Sequence, residues 1–156
     1  MNENTLSTTT IGNEAKSSTF INLSYTGYIM KPKIEYLITC GKVILEEDTG
    51  KASIIDIFQQ INITKSTTSA VLPLTIFVRV LGVRGKIDAK ISILLPNKDE
   101  ELQSIEISGE SSETAQLRGI FSLVNFDREG IYKIKVSING KVLDSLESHS
   151  IQVIKL

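Results

Sequence analysis

Apolar and polar residues alternate with a period of two along most of the chain beyond Lys33, the spacing of strands buried on one face. The clearest case is residues 131–138, where Tyr132, Ile134, Val136 and Ile138 form one row and Lys133, Lys135 and Ser137 the other. Asn139-Gly140 follows, and both residue types accept the positive φ of a two-residue type I′ turn. Lys141-Val142-Leu143 then leads back, so this stretch is predicted to be a β-hairpin carrying a buried stripe. Residues 87–95 repeat the pattern, with Ile87, Ala89, Ile91, Ile93 and Leu95 expected to point inward. Residues 34–45 begin with Ile34, Tyr36 and Ile38 alternating against Glu35, Leu37 and Thr39, and Gly41 marks a bulge or bend.

Residues 71–81 are almost continuously apolar, with Pro73 near the start where a missing amide donor is tolerated. Residues 102–108, 116–126 and 150–156 complete the strand set. Residues 52–63 fit two patterns: Ile54, Ile57, Phe58 and Ile61 form a helical face, while Ile55, Ile57, Gln59, Ile61 and Ile63 form a strand row. The isoleucines and the preceding turn favour strand, with helix as the alternative. About eight short strands separated by turns, and no clear amphipathic helix, predict an all-β fold: an antiparallel two-sheet β-sandwich, Ig-like or C2-like. Simple alternation of strand direction places residues 64–70, 96–101 and 127–130 at one end, and residues 46–51, 82–85, 109–114 and 139–140 at the other.

The N-terminal region breaks the pattern. Residues 1–18 are rich in Ser, Thr, Asn and Glu and carry too little apolar surface to offset their ordering entropy, so a flexible, disordered polar tail is expected. Residues 19–32 form a β-prone flank with Phe20, Ile21, Leu23, Tyr25, Tyr28, Ile29 and Met30. Gly27 and Pro32 argue against a central strand there, leaving an edge strand on the domain or a segment that docks on a partner. The folded domain is expected to span residues 33–156.

Composition narrows the chemistry. A chain of 156 residues with 41% apolar residues and a formal charge of −1 suits one soluble domain. No basic face invites nucleic acid, no apolar run is long enough to span a bilayer as a helix, and no secretory leader is expected, since the first residues lack a basic start and an apolar core. A cytoplasmic protein is therefore expected. Charge near zero gives little protection against self-association, so a homo-oligomer stays open. Cys40 is the single cysteine and His149 the single histidine, which excludes an intramolecular disulfide and nearly excludes a zinc site. Cys40 reads as a small buried side chain, and no orienting group supports a Cys–His pair. Gly82-x-x-Gly85-Lys86 has residues of a phosphate loop without its spacing, and reads as a turn. With no tryptophan, a carboxylate pair for sugar chemistry lacks its usual platforms.

Three stretches carry a family resemblance: residues 50–58 (GKASIIDIF), residues 77–82 (FVRVLG) running into Gly85-Lys86-Ile87, and residues 126–132 (FDREGIY) closed by Asn139-Gly140. Together they resemble an uncharacterised bacterial family of small single-domain β-sandwich proteins, a domain of unknown function, over roughly Lys33 to the end. The F-x-x-x-G-x-Y stretch is common in sandwich domains, with Gly making the tight approach to the strand and Tyr packing at the sheet corner. Pro often follows the Phe in that family; Asp127 stands there here. The resemblance implies a sandwich fold and an intracellular bacterial setting, but no reaction and no functional residue.

Two functions from different classes follow. The first is a non-catalytic binding or assembly module, with no cofactor, whose partner is an unknown protein or a second copy of itself. Phe20, Tyr25 and Tyr28 are its candidate anchors, because aromatic residues concentrate at interfaces and an unpaired strand can add to another sheet. The second is a Ca²⁺-dependent, C2-like attachment module using Asp99, Glu100, Asp127 and Glu129, with Glu101 nearby, because sandwich loops can gather the oxygen ligands calcium takes. The plain alternative for these acids is solvated turn residues, with Lys98 and Arg128 among them.

Overall fold

The computed structural model of the chain describes residues 31–49, 51–143 and 149–156. The polar tail and residues 19–30 of the flank, with Phe20, Tyr25 and Tyr28, lie outside the described residues. Ten strands follow one another: β1 (Lys33–Leu45), β2 (Ala52–Ile57), β3 (Gln60–Ile63), β4 (Ala70–Leu81), β5 (Gly85–Leu94), β6 (Glu101–Ser111), β7 (Thr114–Phe126), β8 (Gly130–Ile138), β9 (Lys141–Val142) and β10 (Ser150–Lys155). They form a four-stranded sheet in the order β2-β1-β4-β7 and a larger sheet in the order β3-β10-β8-β5-β6, with β9 beside β8. Every pairing is antiparallel except β3 with β10.

The sheets face each other across one core. Leu74, Ile76, Val78 and Val80 of β4 and Leu117 and Phe121 of β7 meet Ile91 and Ile93 of β5, the β8 stripe and Ile151 and Val153 of β10. The stripes read from β5 and β8 are buried as their alternation required.

Residues 52–63 are strand, not helix, but they are not one strand. β2 pairs with β1 in the first sheet, and β3 pairs with β10 in the second. The crossing is pinned at Thr39, whose carbonyl accepts from the Phe58 amide at 3.0 Å and whose hydroxyl donates to the Phe58 carbonyl. Asp56, at φ 57 and beside Gly41, supplies the irregular backbone. This division and the two-residue β9 take the strand number from about eight to ten.

The division also corrects the sorting of the loops. Because the chain turns back between β2 and β3, the loop of residues 46–51 lies at the same end as residues 64–69, 95–100 and 127–129: Leu45 pairs with Ala52, and Ala70 with Phe126.

Local signals were accurate at the β7–β8 corner and the β8–β9 hairpin. Gly130 adopts φ 137, and a Cβ there would lie 2.8 Å from the Pro96 Cβ. The Tyr132 ring meets Phe126 edge-on at 5.0 Å. Asn139 and Gly140 have φ 49 and 76, and Ile138 pairs with Lys141 across a two-residue turn.

Candidate functional site

The outer face of the four-stranded sheet is built by a shift of register in β1. A bulge between Ile34 and Tyr36 lets Ile34 enter the main core while Tyr36 and Ile38 turn to the outside. The single row expected of Ile34, Tyr36 and Ile38 is therefore split, and Leu37 takes the inward place. Tyr36 then pairs with Arg79, Ile38 with Phe77 and Cys40 with Thr75. On the far side of β4, Phe77 pairs with Arg118 and Thr75 with Ile120. Directly paired residues share a face, so these side chains form one surface.

That surface holds a second, smaller core. Phe77 is 1% exposed and Cys40 0%, and Val43 is buried with them. Cys40 and Val43 are three residues apart yet share this cluster, while the register of β1 with β2 runs from Cys40 to Leu45 without a shift. Around this centre Tyr36, Ile38, Ala52 and Ile54 are half-buried, with the Tyr36 ring 6.0 Å from Phe77. Ile120, 53% exposed, and Val71 and Leu123, flanked by the inward Leu72 and Val124, extend the apolar surface across β4 and β7. An open groove of about 420 Å³ continues between β6 and β7, past Gln103 and Ile105. The Arg79–Glu35 ion pair, 3.0 Å, bounds the surface toward the start of β1.

The outer face of the other sheet is largely charged. Lys86, Asp88 and Lys90 of β5, Glu106 and Glu110 of β6, and Lys133 and Lys135 of β8 cover it. Lys90 holds Glu101 at 2.8 Å, which keeps the Glu101 carboxyl below the usual carboxylate range. The outside of the four-stranded sheet is thus the more apolar of the two, although Arg79, Gln116 and Arg118 share its rows and Ile131 and Val142 are exposed on the larger sheet. The sign of it in the sequence is β4: one row of VLPLTIFVRVL is wholly apolar, and the other still carries Val71, Phe77 and Leu81 beside Thr75 and Arg79.

The four calcium candidates are only partly brought together. The loops of residues 95–100 and 127–129 adjoin, since Gly130 touches Pro96. Lys98 lies 3.7 Å from Glu100 and Arg128 3.6 Å from Asp127, so two of the four acids have a cation beside them. Among the described residues no three His, Cys, Asp or Glu side chains gather closely enough to hold a metal ion. Cys40 and His149 belong to different sheets: Cys40 sits on the outer face described above, and the His149 carbonyl accepts from Ile134 of β8 at 3.0 Å. Burial pushes the Cys40 thiol up and the His149 imidazole down. Gly82, Gly85 and Lys86 lead into β5, not into a helix. Among the described residues no helix is long and apolar enough to cross a membrane.

Residues 35–150 match a family of unknown function, DUF6941. The chain belongs to that family. The match covers both sheets from β1 to the start of β10, and includes the F-x-x-x-G-x-Y corner and the Asn139-Gly140 turn by which the resemblance was read. No curated protein matches the chain.

Proposed function

We propose that this protein is a non-catalytic binding or assembly module whose contact surface is the apolar outer face of the four-stranded sheet. The observation that carries the reading is the contrast between the two outer faces. A solvated sheet normally alternates apolar inside with polar outside, as β5 and β8 do. A cluster of half-buried apolar side chains with a tyrosine in it has the composition of an interface centre. The partner is a protein or a second copy of the chain, and the setting is the cytoplasm, in keeping with a buried free thiol at Cys40.

A photo-crosslinking side chain placed at Ile120 in the full-length protein tests this in its native cells. Discrete covalent adducts, with another protein or with itself, are expected from position 120 and not from Lys135 on the polar sheet. Adducts from neither position, or equally from both, would remove the reading.

The abutting loops leave one observation in favour of a Ca²⁺-dependent module using Asp99, Glu100, Asp127 and Glu129. Calorimetric titration of the full chain decides it, since binding heat with a raised melting temperature would favour calcium over the apolar face.

A further inference from the structure

We infer that Asn139 is a deamidation site that the fold holds shut, and that it reacts only when the β8–β9 hairpin lifts off β5. The inference concerns the larger sheet and stands apart from the reading of the apolar face.

The chemistry is local. Asn139 is the one asparagine of the sequence that is followed by glycine. The backbone nitrogen of Gly140, once it has lost its proton, can attack Cγ of Asn139. The Cγ–Nδ2 bond then breaks, and Nδ2 takes up a proton and leaves as ammonia, which closes a five-membered cyclic imide. Water opens that ring at either carbonyl, leaving aspartate or isoaspartate at position 139. A side chain after the asparagine would crowd the attacking nitrogen; Gly140 has none, and nothing lies within 4 Å of where a Cβ would stand. Both residues are exposed, so water and base reach them.

What the fold adds is a clamp. Asn139 Oδ1 accepts from the Asp88 amide at 2.8 Å, and Nδ2 donates to the Lys86 carbonyl at 3.2 Å. The Asn139 amide donates to the Asp88 carbonyl at 2.8 Å as well. Carboxamide and backbone are thus tied to the start of β5, just before the β5–β8 ladder begins with Ala89 and Ile138. Attack makes Cγ tetrahedral and carries Nδ2 away, so both side-chain bonds must break. The reaction is therefore gated by local opening, and its rate reports how often the hairpin leaves β5.

The product does not close the clamp again. Aspartate puts an oxygen where Nδ2 donated, so the Lys86 carbonyl loses its donor and faces a carboxylate. Isoaspartate runs the main chain through Cβ, and adds an atom to a turn across which Ile138 pairs with Lys141. Among the described residues β9 pairs only with β8, and Leu143, buried just after it, donates its amide to the Val136 carbonyl at 2.9 Å. Conversion weakens the hold on this arm, and each opening that ends in reaction is recorded permanently.

The test uses the full-length protein at mildly alkaline pH, folded and in urea beyond its unfolding transition. Peptide mapping by mass spectrometry should find position 139 converting first in the unfolded chain, and slower by on the order of tenfold or more in the folded one. Exchange of the Asp88 amide proton reads the clamp directly, since Asn139 accepts that proton. Leu143→Ala, which loosens the arm, should speed Asp88 exchange and native deamidation by the same factor. If that variant does not fold, urea below the transition makes the same comparison on the natural chain. Folded-state conversion as fast as in the unfolded chain, or faster conversion without faster Asp88 exchange, would overturn the clamp. First conversion at another asparagine in the unfolded chain would remove the site. Undiminished Asp88 protection in purified isoaspartyl protein would show that the clamp survives the reaction, against the inference.

Discussion

The Tyr132 hydroxyl donates to the Arg128 carbonyl and accepts from the Arg128 amide, each at 3.1 Å. Both contacts close a loop of four residues at the β7–β8 corner, where the chain passes from one sheet to the other. Burial raises the Tyr132 phenol above its ordinary pKa, which keeps the hydroxyl proton in place to be donated. Phe126 braces the same ring edge-on. Tyr132→Phe keeps the ring and strands a backbone donor and acceptor. A loss of about 1–3 kcal/mol in urea unfolding is expected. An unchanged midpoint would show that water replaces the hydroxyl there without loss.

Gly130 and Gly140 both have positive φ, but only one is crowded. A Cβ on Gly130 would meet Pro96 at 2.8 Å, while nothing lies within 4 Å of one on Gly140. Gly140→Ala should cost about 1 kcal/mol, the backbone preference alone. Gly130→Ala should cost more, about 1–3 kcal/mol, because strain adds to a clash between two loops. Equal losses in parallel denaturation curves would mean that the Pro96 loop moves freely.

His149 is buried, its Nδ1 has no hydrogen-bond partner among the described residues, and burial holds its imidazole below the ordinary pKa. The unfolded chain therefore takes up a proton more readily than the folded one. The stability this neutral imidazole contributes is complete above about pH 6.5, and is lost as pH falls from there through the lowered folded value. Urea midpoints measured at about pH 7.5 and about pH 5 should fall with acid, and fall less in His149→Gln. A parallel fall in both proteins would assign the acid sensitivity to carboxylates such as Glu101, whose pKa is also depressed.

Cys40 is fully covered on the outer face, and its thiol is raised by burial, so the reactive thiolate is doubly suppressed. Labelling of the native protein by an aromatic disulfide reagent should be limited by opening of the structure, and should speed up by orders of magnitude in denaturant. Ile38→Ser, beside Phe77 on the same face, should accelerate native labelling. Fast labelling of the native protein would show that this face opens without unfolding.

Much of the architecture was legible in residue order because it depends on neighbours in sequence. Alternation buried the β5 and β8 stripes, Asn139-Gly140 made a two-residue turn, and the Phe126–Tyr132 spacing built the corner. Each is a constraint acting over a few residues. The hairpin turn was less legible in its support: Asn139 also accepts from the Asp88 amide at 2.8 Å and donates to the Lys86 carbonyl at 3.2 Å, ties to residues 51 and 53 positions away.

Sheet membership was not legible. Periodicity says that a strand has two faces, and leaves open which of two sheets lies against each. Residues 52–63 read as one strand because every piece is β-prone; the Thr39–Phe58 contacts, nineteen residues apart, decide that they serve both sheets. The same holds for the apolar outer face. The sequence by itself determined an all-β chain, its turns and most of its core. Only the tertiary structure decided that Tyr36, Ile38, Cys40 and Phe77 gather outside the sandwich, because a bulge at Glu35 exchanges the faces of β1 and strand pairing then sets β1 beside β4.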